Sequence, residues 1–591
     1  MFFKSVGTRI SNYSLLKSKI HAKSVSMYLR ITKRANKDGS VVEYFQLAHN
    51  ERHPDTRKPV AKIIHNFGRV DQLDRQELVR LCQSIGRVCG LRFDHPLAIP
   101  RDSAVPVGLP ADMKIKQTLA LGCPLVIDAL WERLGLKKCL EAIGQAAGGR
   151  AQLERALLAM VANRLCMPES KLGVWDRWLS TVHLPSCQDL KLRHMYEAMD
   201  LLHANIEEVE KTVFFNTANL FNLEVDLIFY DTTTASFHVD YEDDDSDPDS
   251  TTTLRKFGHA KEGNWAPQVV VALAVTRDGI PVRSWVLPGN TADVTTVAKV
   301  RADLRGWNLG RAMFVADSGM NSTDNRTELA KACGKYLLAC RMASIAEIKG
   351  EVLGKRGPYT TFKDNLQAKE VIIGDGERRR RYILCYNPKE AERQSKHRQM
   401  IVEHLEAELA SHKDHSANAQ WAIDRLASRR FKRYLRTTKG GQLHIDRGAV
   451  ADAAKYDGKW VIETNDDTIS LEDAACGYKS LMVIERCFRS LKRTQIKMTP
   501  MYHWASRRIE THVKICVLAL QIERVAEISC GKSWYHIKRA LATLQVTEFF
   551  DLKYRVLMRN EVTEDTANIL KSLKIKPPGR VIHMSEQGQN P

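Results

Sequence analysis

At Val225 the hydrophobic rhythm of the chain changes, and this constrains the fold more than any other feature. Before it, from about 113 to 223, apolar residues recur at three and four spacing. IDALWERLGL, QLERALLAMVANRLC, HMYEAMDLLHA and IEEVEKTVFFNTANLFN all carry this period, which belongs to helices with a buried face. After it come short apolar runs bounded by turn residues. VDLIFYD reads as a buried strand ending in Asp231. QVVVALAV and PVRSWVLP read as the next two strands, joined by TRDGI, a short turn containing Asp278-Gly279. A helical stretch at 293–305, the strand AMFVAD ending in Asp317, a short helix at 322–333 and the strand KYLLACR follow. The order β-β-β-α-β-α-β predicts a mixed α/β sheet over 224–344, preceded by a helical region over 113–223.

The chain has 591 residues, and at roughly 150 residues per domain about four units are expected. The segment 27–110 reads as a small basic β/α module, the candidate for contact with nucleic acid on its charge. Its strands are YLRI, VVEYFQLA and PVAKIIHNFGRV, a helix is predicted over Asp71 to Cys89, and Pro-rich residues 90–112 form a linker. Residues 1–26 are a basic, Ser-rich extension. Residues 345–475 interrupt the α/β pattern with strand-like YTTF, EVIIG, RRYILCY and KWVIETN and a charged helix near 388–411. They read as an inserted domain. Helices resume over 476–530, and 531–591 is a mixed C-terminal region.

Charge and cysteine usage narrow the function classes. Lys plus Arg number 89 against 70 Asp plus Glu, a net of +19. Residues 1–110 hold 19 basic and 9 acidic residues, so more than half of the excess lies in the first fifth of the chain. Such a basic surface attracts polyanions, and nucleic acid is the expected partner. The acidic stretch DYEDDDSDPD at 240–249 reads as a solvated loop. The 13 cysteines include no C-x-x-C pair and several sit in apolar runs, which argues for reduced buried thiols in a cytoplasmic protein and against a zinc cluster. The longest clean apolar run, Val269 to Val275, is far short of the about 20 residues of a helical membrane span.

Three carboxylates carry the chemistry. Asp231 and Asp317 each close an apolar strand, where an ionised Asp is costly unless hydrogen-bonded or bound to a metal. Each taken alone also fits a cap or turn residue. Together they gain weight, because strand ends of an α/β sheet are where sites form. The third, Glu485, lies in GYKSLMVIERCFRSLKRTQIK, a segment with helical spacing. Tyr478, Glu485 and Lys492 are seven apart and share one face of such a helix, with Arg489 close to it. Three acids from separate elements can hold two divalent cations, and hard oxygen ligands suit Mg²⁺ or Mn²⁺. Lys261 and His259 in GHAKEG fall between the first two strands and near the end of the first, while Asn290 in PGNTAD reads as a turn residue. Arg378 to Arg381 fit a DNA-backbone contact or a solvated turn. Trp460 fits a core position, with stacking on an unpaired base as the alternative.

FYDTT, PGNTADVTT, VADSGM and the pattern Y-x6-E-x6-K together resemble the DDE-type transposases of bacterial insertion sequences. The nearer resemblance is to the group with a Tyr-Arg-Glu-Lys signature and a β-rich insertion before the catalytic Glu. It runs from about Met27 to 530 and includes NRLCMPESKLGVWDRW. It implies an RNase H-like α/β core interrupted by the insertion. It also implies Asp231, Asp317 and Glu485 as a catalytic triad for two Mg²⁺ or Mn²⁺ ions, and Tyr478 and Lys492 as phosphate contacts near the transposon end. The signature Arg is replaced by Leu481, a departure for which Arg489, one turn beyond Glu485, can supply the cation. The activity implied is cleavage at inverted repeats followed by strand transfer into target DNA, by a homodimer on paired ends in the bacterial cytoplasm at the nucleoid. A metal-dependent nuclease without strand transfer and an inactive DNA-binding relic are the alternatives.

Overall fold

The computed structural model describes residues 27–35, 41–53, 59–70, 114–148, 152–244, 253–261, 263–412, 414–550 and 554–586. The basic extension 1–26, the helix expected at Asp71–Cys89, the linker and part of the acidic loop lie outside the described residues. The chain divides into two compact units at Leu109/Pro110.

In the first unit β1 (Met27–Ala35), β2 (Val41–Arg52) and β3 (Pro59–Arg69) form an antiparallel sheet in chain order. These are the three segments whose β-branched and aromatic residues alternate.

The second unit begins with a strand where the sequence pattern predicts helix. β4 (Lys114–Ala120) pairs with the C-terminal strand β17 (Gln545–Phe550), which continues to β18 (Tyr554–Arg559) and β19 (Val581–Glu586). The partner lies more than 400 residues away, so no local pattern could show it. Helix α1 (Gly122–Arg133) has no side-chain cap. Its Gly122 N–H and that of Leu121 donate instead to Leu544 O at 3.1 and 3.0 Å, which fastens the C-terminal region to the helical one. Helices α2 (Leu136–Ala146), α3 (Gln152–Cys166), α4 (Leu192–Ala204) and α5 (Ile206–Phe221) follow. α3 is buried on nearly every side, as a helix apolar all round must be.

The central sheet is built on β5 (Leu227–Ser236), β6 (Lys256–His259), β7 (Trp265–Thr276), β8 (Pro281–Pro288), β9 (Met313–Ala316) and β10 (Tyr336–Ala339). α6 (Val297–Gly306) and α7 (Thr323–Ala330) connect the later strands. β5 lies between β7, antiparallel, and β9, parallel. β8 pairs antiparallel with β7, and β10 runs parallel to β9. Twelve residues make β7 long enough for β6 and β8 to pair with it in tandem. Gly279 holds the β7–β8 turn at φ +76, a region that glycine enters without strain.

The inserted segment supplies β11 (Thr360–Lys363), β12 (Leu366–Ile373), β13 (Arg380–Tyr386) and β16 (Lys459–Thr464). These do not form a sheet of their own. β16 pairs with β10, so the order β11-β12-β13-β16-β10 extends the core sheet. Between β13 and β16 lie the long helix α8 (Pro388–Ser411), α9 (Gln420–Ala427), the hairpin β14 (Leu435–Thr437) and β15 (Leu443–Ile445), and α10 (Arg447–Ala454).

After the insertion come α11 (Leu471–Lys479) and α12 (Met482–Arg489). The sequence predicts one continuous helix here, but the chain breaks at Ser480–Leu481. Ser480 Oγ donates to Cys476 O at 2.9 Å, the back-bonding that bends helices, and Ser480 and Leu481 close the turn. A wide i→i+5 turn over Ser490–Thr494 follows. Helix α13 (Ser506–Cys530) then runs through the interior, followed by α14 (Trp534–Leu541) and α15 (Glu564–Ser572). Three buried polar side chains of α13 are partnered: Lys514 Nζ reaches Glu210 at 3.1 Å and donates to Ser284 O at 2.6 Å, Gln521 donates to Thr217, and Glu523 accepts from Ser490 Oγ.

Candidate active site at the ends of two parallel strands

Side chains of β5 alternate between two cores. Leu227 and Phe229 join the core that includes residues of α11, α12 and α13, while Ile228 and Tyr230 join the other. Period two therefore directs Asp231 to the face covered by α11 and α12. Across the parallel pair, Tyr230 is level with Ala316, so Asp231 and Asp317 are successive in register on neighbouring strands. The two carboxylates thus stand about one strand spacing apart, roughly 4.8 Å between backbones.

The strand does not end at Asp231, as its sequence suggests. β5 continues through Thr232–Ser236, paired with Gln268–Ala272 of β7, while β9 stops at Ala316. Asp231 is the point where β5 loses its parallel neighbour but keeps its antiparallel one. Asp317 follows the last residue of β9 directly. Its Oδ1 accepts from the Gly319 N–H at 2.9 Å, an Asx turn that aims the carboxylate back over the strand end.

Burial pushes the Asp231 carboxyl up to about 6, opposed by Lys261 and by the Thr232 N–H, and the charges of Asp317 and Asp293 push in the same direction as burial. The Thr232 N–H donates to Asp231 Oδ1 at 2.7 Å. Lys261 Nζ stands 3.5 Å from Asp231 Oδ1 and 3.6 Å from Asp293 Oδ2, and it donates to Thr232 Oγ1 at 2.9 Å and to Thr232 O. Thr232 Oγ1 donates to Asp293 Oδ1 at 2.5 Å. An ammonium is therefore the counter-ion of a crowded acidic strand end. His259 instead meets Trp265 edge to face, and Asn290 is an exposed turn residue.

Tyr478 closes the site from above. Gly477 is buried over β5 and β10: a Cβ there would lie 3.4 Å from Leu227 Cδ1 and 3.7 Å from Leu337 Cδ1. This seats α11 on the sheet in ordinary contact, and the next residue senses the charges of both carboxylates. Burial raises the Tyr478 phenol far above its ordinary range, and Asp317 and then Asp231 add to the effect, so it remains a protonated donor. Lys492 Nζ, in the wide turn, donates to Thr233 Oγ1 at 3.4 Å, two residues along β5 from Asp231.

The remaining candidates lie on or beside α12. Glu485 is exposed on α12, and among the described residues no cation pairs with it. Arg489 is exposed and lines a cavity with Arg524 and Glu523 of α13. Leu481 packs on the main core. Among the described residues, no three His, Cys, Asp or Glu side chains close around one ion position. The hard oxygen donors at the strand ends fit a divalent cation nonetheless, because Lys261 already occupies the place of a positive charge between Asp231 and Asp293. Arg379, Arg380 and Arg381 pair with Asp467, Glu347 and Glu370, and Trp460 packs half-buried against the core.

Sequence reading gave Asp293 and Thr232 no role. The available signal was PGNTAD, in which an acid follows the end of β8 and opens the helical turn Asp293–Thr296.

Two family models match the chain. One, for the N-terminal domain of IS1634 family transposases, matches residues 29–92, and the other, for the transposase DDE domain, matches residues 240–520. The second match begins beyond Asp231 and includes Asp317, Tyr478, Glu485 and Lys492. Among solved structures, a piggyBac transposase synaptic complex with hairpin DNA is similar at 9% identity and a TM-score of 0.33, over 71% of this chain and 79% of that one. No curated protein matches.

Proposed function

The chain belongs to the DDE-type insertion-sequence transposases, and from that membership we propose that it binds the inverted repeats of its element, cleaves at their ends and joins the freed 3′-hydroxyl to target DNA. One observation carries the catalytic assignment: Asp231 and Asp317 are successive in register on adjacent parallel strands, facing α11 and α12. The strand order β8-β7-β5-β9-β10, with the first three antiparallel and the last two parallel to β5, supports reading this sheet as an RNase H-like core.

Asp231 and Asp317, with Glu485 from α12, would hold two Mg²⁺ or Mn²⁺ ions. Bound there, divalent ions supply activation of the attacking oxygen and stabilisation of the leaving oxygen. The chain's own groups do the rest. The Tyr478 phenol, kept protonated, donates to a phosphate oxygen. Lys492 presents an ammonium to the strand, and Arg489 offers a second cation where Leu481 replaces the signature Arg. Lys261 neutralises Asp231 and Asp293 before a cation binds. Phosphate contacts position the DNA, while base contacts select the repeat. The first unit reads as a DNA-binding module, and a homodimer on paired ends would act at the bacterial nucleoid. No described helix is long and apolar enough to cross a membrane.

The test uses supercoiled plasmid carrying the native locus, Mg²⁺, and the full chain or its Asp231→Ala variant. Cleavage at matched repeats with joined products, absent in the variant, is the expected result. Cutting without joining would assign a nuclease. Salt-sensitive binding with no cutting by either protein would assign a DNA-binding relic.

A further inference from the structure

A second basic site lies between the end of α3, the loop after it, and the segment that links the wide turn at Ser490–Thr494 to α13. A cavity of about 480 Å³ opens here, within the range of ligand sites. Arg164, Lys171, Arg177, Lys497, His503 and His512 line it. Its acid, Glu169, is already engaged by Arg177 at 2.8 Å. None of the strand-end carboxylates takes part.

Lys171 is the unusual member. Its side chain is 4% exposed, and no carboxylate among the described residues pairs with it. Its Nζ lies 2.8 Å from His512 Nδ1, and His512 Nε2 lies 2.9 Å from Met498 O. The arrangement is self-consistent when neutral His512 accepts from Lys171 Nζ and donates to the carbonyl. Lysine has three donors, and this accounts for one. Arg164, equally buried, donates to Lys497 O at 3.1 Å and to Glu169 O, so it braces the rim while its charge adds to that of Lys171. Burial first, and then Arg164, bring the Lys171 ammonium down to about 7, and burial with the neighbouring cations drives His512 well below its usual range. A fold that buries cations without an acid is left short of an anion. At the rim, Tyr502 is 67% exposed, an apolar platform beside a positive cavity.

We propose that this cavity is a phosphate site that takes a backbone phosphate of the bound DNA strand, with Lys171 at its base and Lys497 and Arg177 at its mouth. The DNA source rests on the transposase reading above; the phosphate chemistry does not. Lys497 lies five residues beyond Lys492, so a strand gripped here is held by the same segment that carries the candidate catalytic helix.

Two measurements on the full chain test it. In thermal unfolding at fixed ionic strength, inorganic phosphate in place of chloride is expected to raise the Tm of the native protein and to leave that of Lys171→Met unmoved. In binding of duplex carrying the native end, Lys171→Met and the surface variant Lys497→Gln are each expected to weaken affinity about tenfold at 0.1 M salt. Each should also lower the salt slope by about one, equally for end and unrelated sequences, because one released counter-ion per contact scales affinity inversely with salt. Lys497→Gln keeps the test open if the buried variant fails to fold. No phosphate-dependent Tm rise overturns the site. A phosphate rise with unchanged DNA affinity and slope in both variants overturns the assignment to a DNA strand. Failure of the native chain to bind any DNA sinks the transposase reading together with the DNA source. The phosphate shift then decides whether the cavity is an anion site of another kind.

Discussion

Replacing Asp231 with Asn should abolish cleavage and, in the absence of metal, make the protein more stable. Raising this carboxyl from its ordinary 3.8 to about 6 corresponds to roughly 3 kcal/mol against the folded state at neutral pH. The side chain is about one-fifth exposed, so this is a ceiling, and it is already net of the attraction to Lys261 at 3.5 Å. A gain of about 1–2 kcal/mol is expected once solvent screening is allowed for. The sign follows from proton counting. With the folded value above the unfolded one, the folded state binds the extra proton between about pH 4 and 6, so stability falls as pH rises through that window and stays reduced above it. The native protein and Asp231→Asn, both in chelator, should therefore have similar denaturation midpoints near pH 4 and separate as pH rises to 7, with the variant the more stable. Added Mg²⁺ should stabilise the native protein by mass action and leave the variant unmoved. A variant less stable than the native chain at pH 7 would refute the reasoning, because Asp231 would then be an anchor for Lys261 and Thr232 and not a charge held for a cation.

Glu485→Gln should leave the unfolding free energy within about 0.5 kcal/mol of native, since Glu485 is exposed, while abolishing cleavage and sparing DNA binding in a gel-shift assay. Lys514→Met should cost about 3–5 kcal/mol by urea unfolding, because it strands the buried Glu210 carboxylate and frees Ser284 O. Gly122→Ala should lower Tm by several degrees, because its new Cβ would lie 2.2 Å from Leu541 O, a backbone atom that cannot move without pulling α14 off α1. Tyr478→Phe should keep the fold, as judged by circular dichroism, and slow cleavage of end DNA.

The strands nearest the site were legible because they are short, apolar and bounded by turn residues. PVRSWVLP and AMFVAD appear as β8 and as β9 followed by Asp317. Periodicity could not say where β5 stops, because Thr232, Thr233 and Thr234 are good strand residues whose pairing depends on the length of β7. Nor could it foresee that β16 would join β10, since pairing across more than 120 residues is settled by which edge is left open. The helix around Glu485 shows the limit most clearly. Seven-residue spacing puts Tyr478, Glu485 and Lys492 on one face only if the helix is unbroken. The chain instead breaks at Ser480–Leu481, where the Ser480 hydroxyl bonds back to Cys476 O. That bond is local, but a serine within a helical run does not by itself announce a break. α12 packs on the face of β5 that carries Asp231, and the carboxylate of Glu485 has no partner among the described residues to give up when a cation binds.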